Sequence, residues 1–591
     1  MLAVLTSTLV AVVGIGDALK NRHYDLVAQE MVDSGVAHVV ACDNSLDGNW
    51  PVGAYSLKPN TNCMGVVQSG VPEYITSDSN VHAAYSVDVE VTVSSGITTI
   101  SIKSRGIVDL IRTSTNVTWR SYTRDAQSFY QPTAITDVAQ ARTHSCILSG
   151  DKNVYCVGDN SAGQLGIGTN ESLSRPTEKF LLPDGLSAVE VVADEKQTCV
   201  RASDRQLYCA GDNTYGQLGD GTTTNRSTPV RFNSPTNRKV ASVQIARDLF
   251  GPGDLDSDTS RPYTCALTTS ADGSSGQVYC AGSNQYGQLG DGTTTNQSTP
   301  VKFTLPSGTV QSFAVGPSDG ATSADGHSHT CVIANTNIMY CAGRNLEGQL
   351  GDGSYTNRST PVRFGTLSDI QSVKIAYRDT CVIRQGGSLM CAGENRVGRF
   401  GNGNSGASYN QPTAAFTSGV SGTITQVEMG PNQTCVLSST HRAYCSGYGA
   451  YGRLGNNSSS STSTPVQYVT AGAATNLDSI GIGDIQTCVL TSTTKAAYCA
   501  GYNRDGRLGI GSFASGQGTS NPYPTEGKFI LPSGVTVAKV IAGTSSTCIL
   551  TTIGKGYCAG ANTYGQLGND ILEDQSTPVR ALLIDPGPLY Y

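Results

Sequence analysis

VEVVADEKQTCVRASDRQLYCAGDNTYGQLGDGTTTNRSTPVRF, residues Val189–Phe232, decides the fold, because its parts return through most of the chain. VEVV reads as a short apolar strand. The segments around TCV and YCAG alternate and flank a polar turn, the pattern of a β-hairpin. Cys199 and Cys209 stand ten residues apart with Asp204 midway. An even separation about a symmetric turn puts both side chains opposite each other on one face, at a spacing that suits a disulfide. The glycines of GQLG permit a tight backbone where neighbouring units meet, and the leucine is a plug between them. DGTTTN is a turn-rich loop. Proline in STPVRF fits an edge strand, where no ladder N–H is required. Four short strands per repeat make one blade of a β-propeller.

Working outward, the unit recurs about every 50 to 66 residues from about residue 132, and eight copies can be counted. CAGxN stands at Cys209, Cys280, Cys341, Cys391, Cys499 and Cys558, with CVGDN at Cys156 and CSGYG at Cys445. GQLG begins at Gly163, Gly216, Gly287, Gly348 and Gly565, and becomes GRFG or GRLG at Gly398, Gly452 and Gly506. Sixteen of the 18 cysteines fall into close pairs: Cys146/Cys156, Cys199/Cys209, Cys265/Cys280, Cys331/Cys341, Cys381/Cys391, Cys435/Cys445, Cys488/Cys499 and Cys548/Cys558. Where the spacing widens to fifteen, at Cys265/Cys280, the extra residues sit in the turn. Regular pairing implies an oxidising compartment, and the absence of CxxC or Cys/His quartets argues against zinc.

These residues strongly resemble the regulator-of-chromosome-condensation repeat family, in a cysteine-paired form like that of bacterial secreted members. The resemblance covers about residues 132–585 and implies a propeller, for which seven blades is the family's usual number. Eight are expected here, with seven the alternative. QPTAI, Gln131–Ile135, also looks like a final strand and could complete the last blade by ring closure. The namesake's nucleotide exchange on a small GTPase and its chromatin binding are not carried over.

Composition agrees with a mainly β chain: 68 Gly and only 14% charged residues in 591 point to many tight loops. A net charge of −7 offers no basic footprint for nucleic acid. Ahead of the repeats, MLAVLTSTLVAVVGIG is uncharged, and apolar residues continue at helical spacing to about Cys42. A long N-terminal α-helix over about 1–42 is expected. Met1, Leu2, Val4, Leu5, Leu9, Val12 and Val13 form its apolar surface. The pattern resembles the mature N-terminus of a type IV pilin, which implies membrane insertion before assembly and packing against identical or related subunits afterwards. The family's usual glutamate at the fifth position is Leu5 here; a plain signal-anchor helix is the alternative. Tyr85–Val93, Ile97–Ile102 and a third strand from Ile111 to Trp119 read as a small antiparallel sheet, with Cys42 and Cys63 as a further disulfide. The expected division is a pilin-like domain at 1–128 and the propeller at 129–591.

No metalloprotease, P-loop, nucleophile-elbow or Cys/His signature occurs, and the seven histidines read as scattered surface residues. The least repeat-like stretches carry the functional expectation instead. Asp248–Pro262 and Gly316–His329 are insertions at one place in adjacent repeats, and Gly511–Tyr523 is an extended loop expected on the same face. Candidate binding residues there are Phe250, Asp254, Asp256, Asp258, Asp319, Asp325 and His327. Asp254, Asp256 and Asp258 have the alternate spacing of a calcium loop but lack the later Gly and Glu of an EF-hand. Asn225, Asn296 and Asn357 open N-x-S sequons at one repeat position, where asparagine also serves simply as a loop residue. The sequence therefore points to an extracellular, non-enzymatic pilin-like subunit displaying a propeller to a surface protein or glycan. The alternatives are a membrane-anchored binding or inhibitor propeller and an extracellular enzyme.

Overall fold

The hairpin is the seed of every blade. In all eight, the two cysteines lie directly opposite each other in the antiparallel register, as Cys199 faces Cys209. Each pair is a disulfide with Cα atoms 4.1 Å apart. The longer separations, 15 at Cys265/Cys280 and 11 at Cys488/Cys499, leave the register at the sulfurs unchanged because the added residues lie in the turn. The sulfurs sit in the hydrophobic clusters, each of which joins two successive blades. One contains Leu207, Leu218 and Phe232 from the second blade with Val240, Val243 and Ile245 from the third.

The computed structural model describes residues 134–580 apart from 195, 247–260, 317–327, 471–475, 514–519 and 522–526, and the backbone of strands between 53 and 130. Seven blades are four-stranded antiparallel sheets; the first has three strands plus isolated bridges at Tyr155–Lys179 and Gly158–Leu173. Its closing segment holds one residue more between the bridged positions than the equivalent Arg226–Arg231, which interrupts the ladder. Prolines of the outermost strands lie in a bulge: Cys209 pairs Val230 and Gly211 pairs Arg226, leaving Pro229 between them without a ladder bond to donate.

The innermost strands form a closed ring of eight, each against the next, with the last blade packed on the first. Among the described residues no strand is exchanged at the closure: Ile135 begins the innermost strand of the first blade, and Gln575–Arg580 is the fourth strand of the eighth. The place in the last blade expected for QPTAI is thus filled by another segment, and residues 131–133 lie outside the described residues. Closure rests on Ile135 N–H donating to Gly554 O at 2.6 Å, Gln566 Nε2 to Arg142 O at 3.2 Å, and the Arg175–Asp570 ion pair. The first glycine of GQLG makes this packing possible. A Cβ on Gly216 would lie 2.4 Å from Ser298 Cα in the next blade, and φ there is +84°.

Each GQLG loop is organised by the asparagine of CAGxN. Asn345 Oδ1 accepts the Leu350 N–H at 2.9 Å, and its Nδ2 donates to the carbonyls of Ser354 and Thr356 at 3.1 Å. Asn213 and Asn284 repeat the arrangement. Asn345→Ala would strip one buried and two part-buried main-chain groups of their partner, so a loss of about 2 kcal/mol is expected, read as a lower urea midpoint with the disulfides intact. A midpoint equal to wild type would show that water replaces the amide.

A separate unit contains a four-stranded antiparallel meander of Gly53–Leu57, Val81–Ser94, Ile97–Arg112 and Val117–Tyr130, paired in that order. The second and third strands run longer than their sequence suggested, and the third expected strand, Ile111 to Trp119, straddles the end of one and the start of another. Main-chain pairing continues from Lys103 through Gly106, where side-chain alternation fades. The N-terminal helix, with Met1, Leu2, Val4, Leu5, Leu9, Val12 and Val13, and the Cys42–Cys63 pair lie outside the described residues.

Candidate functional site

Antiparallel order puts the loop after each first strand and the loop after each third strand at the same end of a blade. The described ends of the divergent segments singled out in the sequence therefore lie on one face of the ring. The two insertions spring from closed hairpin bases, with Ala246 N–H donating to Tyr263 O at 3.0 Å and Gly316 N–H to His329 O at 2.8 Å. Phe250, Asp254, Asp256, Asp258, Asp319, Asp325 and His327, and with them the calcium set, lie outside the described residues. Among the described residues no group of three or more His, Cys, Asp or Glu could hold a metal ion.

The ring encloses a channel of about 730 Å³ lined by the first strands. Its polar side chains largely tie blade to blade. Lys374 pairs Glu428 at 2.6 Å and Lys539 pairs Asp137 at 2.7 Å. Gln244 Nε2 donates to Phe313 O at 3.0 Å, and its Oε1 accepts the Val315 N–H at 3.1 Å.

A second belt runs behind the channel, at the residue two before the first cysteine of each pair. His144 Nε2 meets Thr198 Oγ1 of the next blade at 2.8 Å, Gln197 Nε2 donates to Thr264 Oγ1 at 2.8 Å, and His329 Nε2 meets Thr380 Oγ1 at 2.7 Å. His144 and His329 are fully buried, which corrects their reading as surface residues. The sequons are also accounted for structurally. Asn225, Asn296 and Asn357 each accept, through Oδ1, the N–H of the loop-organising asparagine at 2.8–2.9 Å, a role that Ser172 and Asp574 fill elsewhere.

The residues missed in the sequence are the arginines that replace glutamine in GQLG in three consecutive blades. The substitution was visible, but only the fold says what it faces. Gln164 and Gln217 donate to Asp159 and Asp212, five residues earlier, at 2.7 and 2.6 Å. Arg399 is buried between two carboxylates, Asp379 at 3.1 Å and Glu394 at 3.3 Å. Burial raises the Asp379 carboxyl to about 6, Arg399 opposes that shift, and Glu394 adds to it. Arg507 pairs Asp505 and donates to Thr544 O of the next blade at 2.6 Å.

Arg453 differs. Among the described residues no carboxylate lies within ion-pair reach of it. It donates from Nε to Ala450 O at 3.1 Å, and from Nη1 to Gln433 Oε1 at 3.5 Å and the main-chain oxygen of Asp484 at 3.4 Å. Its guanidinium carbon lies 5.2 Å from the Tyr448 ring centroid and 5.7 Å from that of Tyr451. Tyr451 meets Tyr502 edge-on at 5.1 Å, and Tyr502 in turn covers Arg507 at 5.4 Å. Burial lowers the Arg453 pKa to about 10, against the favourable influence of Tyr448, Tyr451 and Asp484. Tyr451 holds φ 63°, ψ 13° inside the short turn Ala450–Gly452, a strained region for a tyrosine. Its counterparts Tyr215, Tyr286 and Tyr564 have no positive φ. The local cause is Gly449, which occupies the place of the organising asparagine and has no side chain to hold the loop.

Parts of the chain are similar to known repeat proteins. The profile described as the Regulator of chromosome condensation (RCC1) repeat matches residues 204–248 and 275–318, and a second profile of the same description matches 135–164. The human "Probable E3 ubiquitin-protein ligase HERC4" is 30% identical over 231 residues, 38% of this chain and 19% of that protein. "Ultraviolet-B receptor UVR8" of Arabidopsis thaliana is 28% identical over 269 residues, 40% of this chain and 58% of the receptor. The chain thus spans about a fifth of the ligase and little more than half of the receptor. Among solved structures, human WBSCR16 aligns with a TM-score of 0.47 at 18% identity, covering 73% of this chain and 94% of that one. Prp20p from Saccharomyces cerevisiae, a protein with binding properties to Gsp1p and histones, gives 0.45 at 19%, covering 59% and 80%.

Proposed function

We propose that this eight-bladed propeller of RCC1-type repeats is an extracellular binding module. It presents its loop-bearing face to a surface protein or glycan while an N-terminal helix anchors and polymerises the subunit as a pilin does. The observation that carries the reading is where the repeats differ. Hairpins, cysteine pairs and blade junctions are nearly uniform, whereas both insertions, the three arginines and the tyrosine cluster leave from one face. A rigid scaffold with divergent loops is the usual division of labour in binding proteins. Eight buried disulfides support an oxidising compartment. The apolar surface from Met1 to Val13, in a unit separate from the propeller, supports the display role, with a pilin-like part proposed at 1–128 and the propeller at 129–591.

Two experiments test the reading. Deleting Asp254–Ser260 is expected to weaken binding to target cells while thermal unfolding stays nearly unchanged; undiminished binding would move the site off this face. Leu9→Asp places a charge in a helix surface whose packing contributes several kcal/mol per filament contact, at about 25 cal/mol per Å² of apolar area. Sheared surface fractions should then lose their filaments while the propeller keeps its disulfides. Filaments that persist with aspartate at position 9 would leave a plain signal anchor.

A further inference from the structure

We infer that Arg453, with Tyr448 and Tyr451, is a carboxylate-binding site on the loop-bearing face, shaped for a Glu or Asp side chain of a peptide partner. The inference deepens the binding reading above and rests on that face being the one presented.

Three neighbouring blades make the same Gln-to-Arg exchange, and two bring their own acids. Arg399 has Asp379 and Glu394; Arg507 has Asp505. Arg453 brings none. The position five residues earlier, which supplies the acid in the fifth blade and in the first two, is Tyr448 here. A buried guanidinium carries five N–H donors and a full charge that cannot be shed. Arg453 is only 2% exposed, yet its three hydrogen-bond partners among the described residues are all neutral oxygens, two of them at 3.4–3.5 Å. Its Nη2 makes no hydrogen bond among the described residues. The group is thus buried and ringed by aromatic faces, with no carboxylate in contact among the described residues and Asp484 acting on it only from beyond ion-pair reach.

It is also one side chain from solvent. Tyr448, whose ring covers the guanidinium, is 40% exposed. The strained Tyr451 backbone places the second ring, and the strain has no counterpart at Tyr215, Tyr286 or Tyr564, where the repeat keeps its asparagine. A charge-assisted Arg–carboxylate pair is the strongest contact such a group can make, and the forked guanidinium suits the two oxygens. Tyrosine and arginine with little conformational freedom are the residues that dominate protein–protein binding energy, which favours a protein's acidic side chain as the occupant.

The test uses the full chain in detergent and an acetylated, amidated pentaglutamate peptide, with pentaglutamine as its neutral counterpart and glucuronate as a sugar carboxylate. Saturable binding of pentaglutamate, absent for pentaglutamine, is expected by calorimetry at 0.15 M salt. Arg453→Gln, which restores the residue found in five other blades and so should fold, is expected to weaken it at least tenfold. Arg396→Gln, at an exposed arginine, should leave it unchanged. Equal affinity in Arg453→Gln, or equal binding of pentaglutamine, overturns the site. Arg453-dependent binding of glucuronate without pentaglutamate overturns the peptide occupant. Cell binding by the Asp254–Ser260 deletion reports separately on the face itself.

Discussion

Full reduction of the eight intra-blade disulfides is expected to abolish the cooperative fold of the propeller, not merely to lower its midpoint. Each bond closes a loop of about ten residues, and in the chain-entropy account each such closure stabilises by about 2–3 kcal/mol. Eight of them together approach about 20 kcal/mol, more than the about 5–15 kcal/mol of net stability typical of a folded domain. Two features of the structure make the loss worse. The sulfurs sit inside the clusters that join neighbouring blades, so a separated thiol pair also loosens packing. Among the described residues the ring closes by side-by-side contact, with no strand exchanged between the first and last blades, so weakened junctions are not held by a shared sheet. Far-UV circular dichroism on heating, with and without a phosphine reductant in urea sufficient to admit it, would measure this. A reduced sample that still melts in one sharp transition near the oxidised midpoint would show that packing alone holds the ring.

The second large effect is at Arg399. Removing one member of a buried ion pair leaves an uncompensated charge, at a cost of about 3–5 kcal/mol. Arg399→Gln leaves Asp379 fully buried beside Glu394, with Asp379 Oδ2 already lacking a partner among the described residues. The effect depends on pH, and its sign follows from the raised acid. Burial holds Asp379 at about 6 when folded, whereas an unfolded aspartate titrates near about 3.9. Between these values the folded chain binds the proton more tightly, so lowering the pH through about 6 favours the folded state. Arg399→Gln removes the group that opposes the shift, so its Asp379 is raised further still, and the variant should be most destabilised near pH 8 and already be recovering as the pH falls toward 6. Asp379→Gln combined with Arg399→Gln recreates the Gln197 and Gln217 arrangement of the second blade, and should be far less destabilised than Arg399→Gln alone. Urea midpoints at pH 8 and pH 5 on oxidised protein settle it. A single variant as stable as wild type at pH 8 would mean that Glu394 and its outer partners, Arg378 and Arg396, absorb the change.

The two predictions depend on information of different kinds. The disulfides were legible in the sequence because pairing across a hairpin is local: ten residues about a symmetric turn fix which side chains meet, whatever the rest of the chain does. The number of blades followed for a similar reason, since eight self-similar units each leave an apolar edge that only another unit can cover. The convergence of the insertions on one face was also readable, because strand direction alternates within a blade. The sequence showed the Gln-to-Arg exchange at residues 399, 453 and 507 as well, but not its meaning. Whether a buried arginine is paired depends on residues such as Asp379, Gln433 and Asp484 that come from other strands, loops and blades. Side-by-side ring closure, the burial of His144 and His329 at blade junctions, and the lack, among the described residues, of a carboxylate in ion-pair reach of Arg453 were decided in the same way. Each depends on which atoms of distant repeats come within about 3 Å, a distance set by closing the ring rather than by any repeat within it.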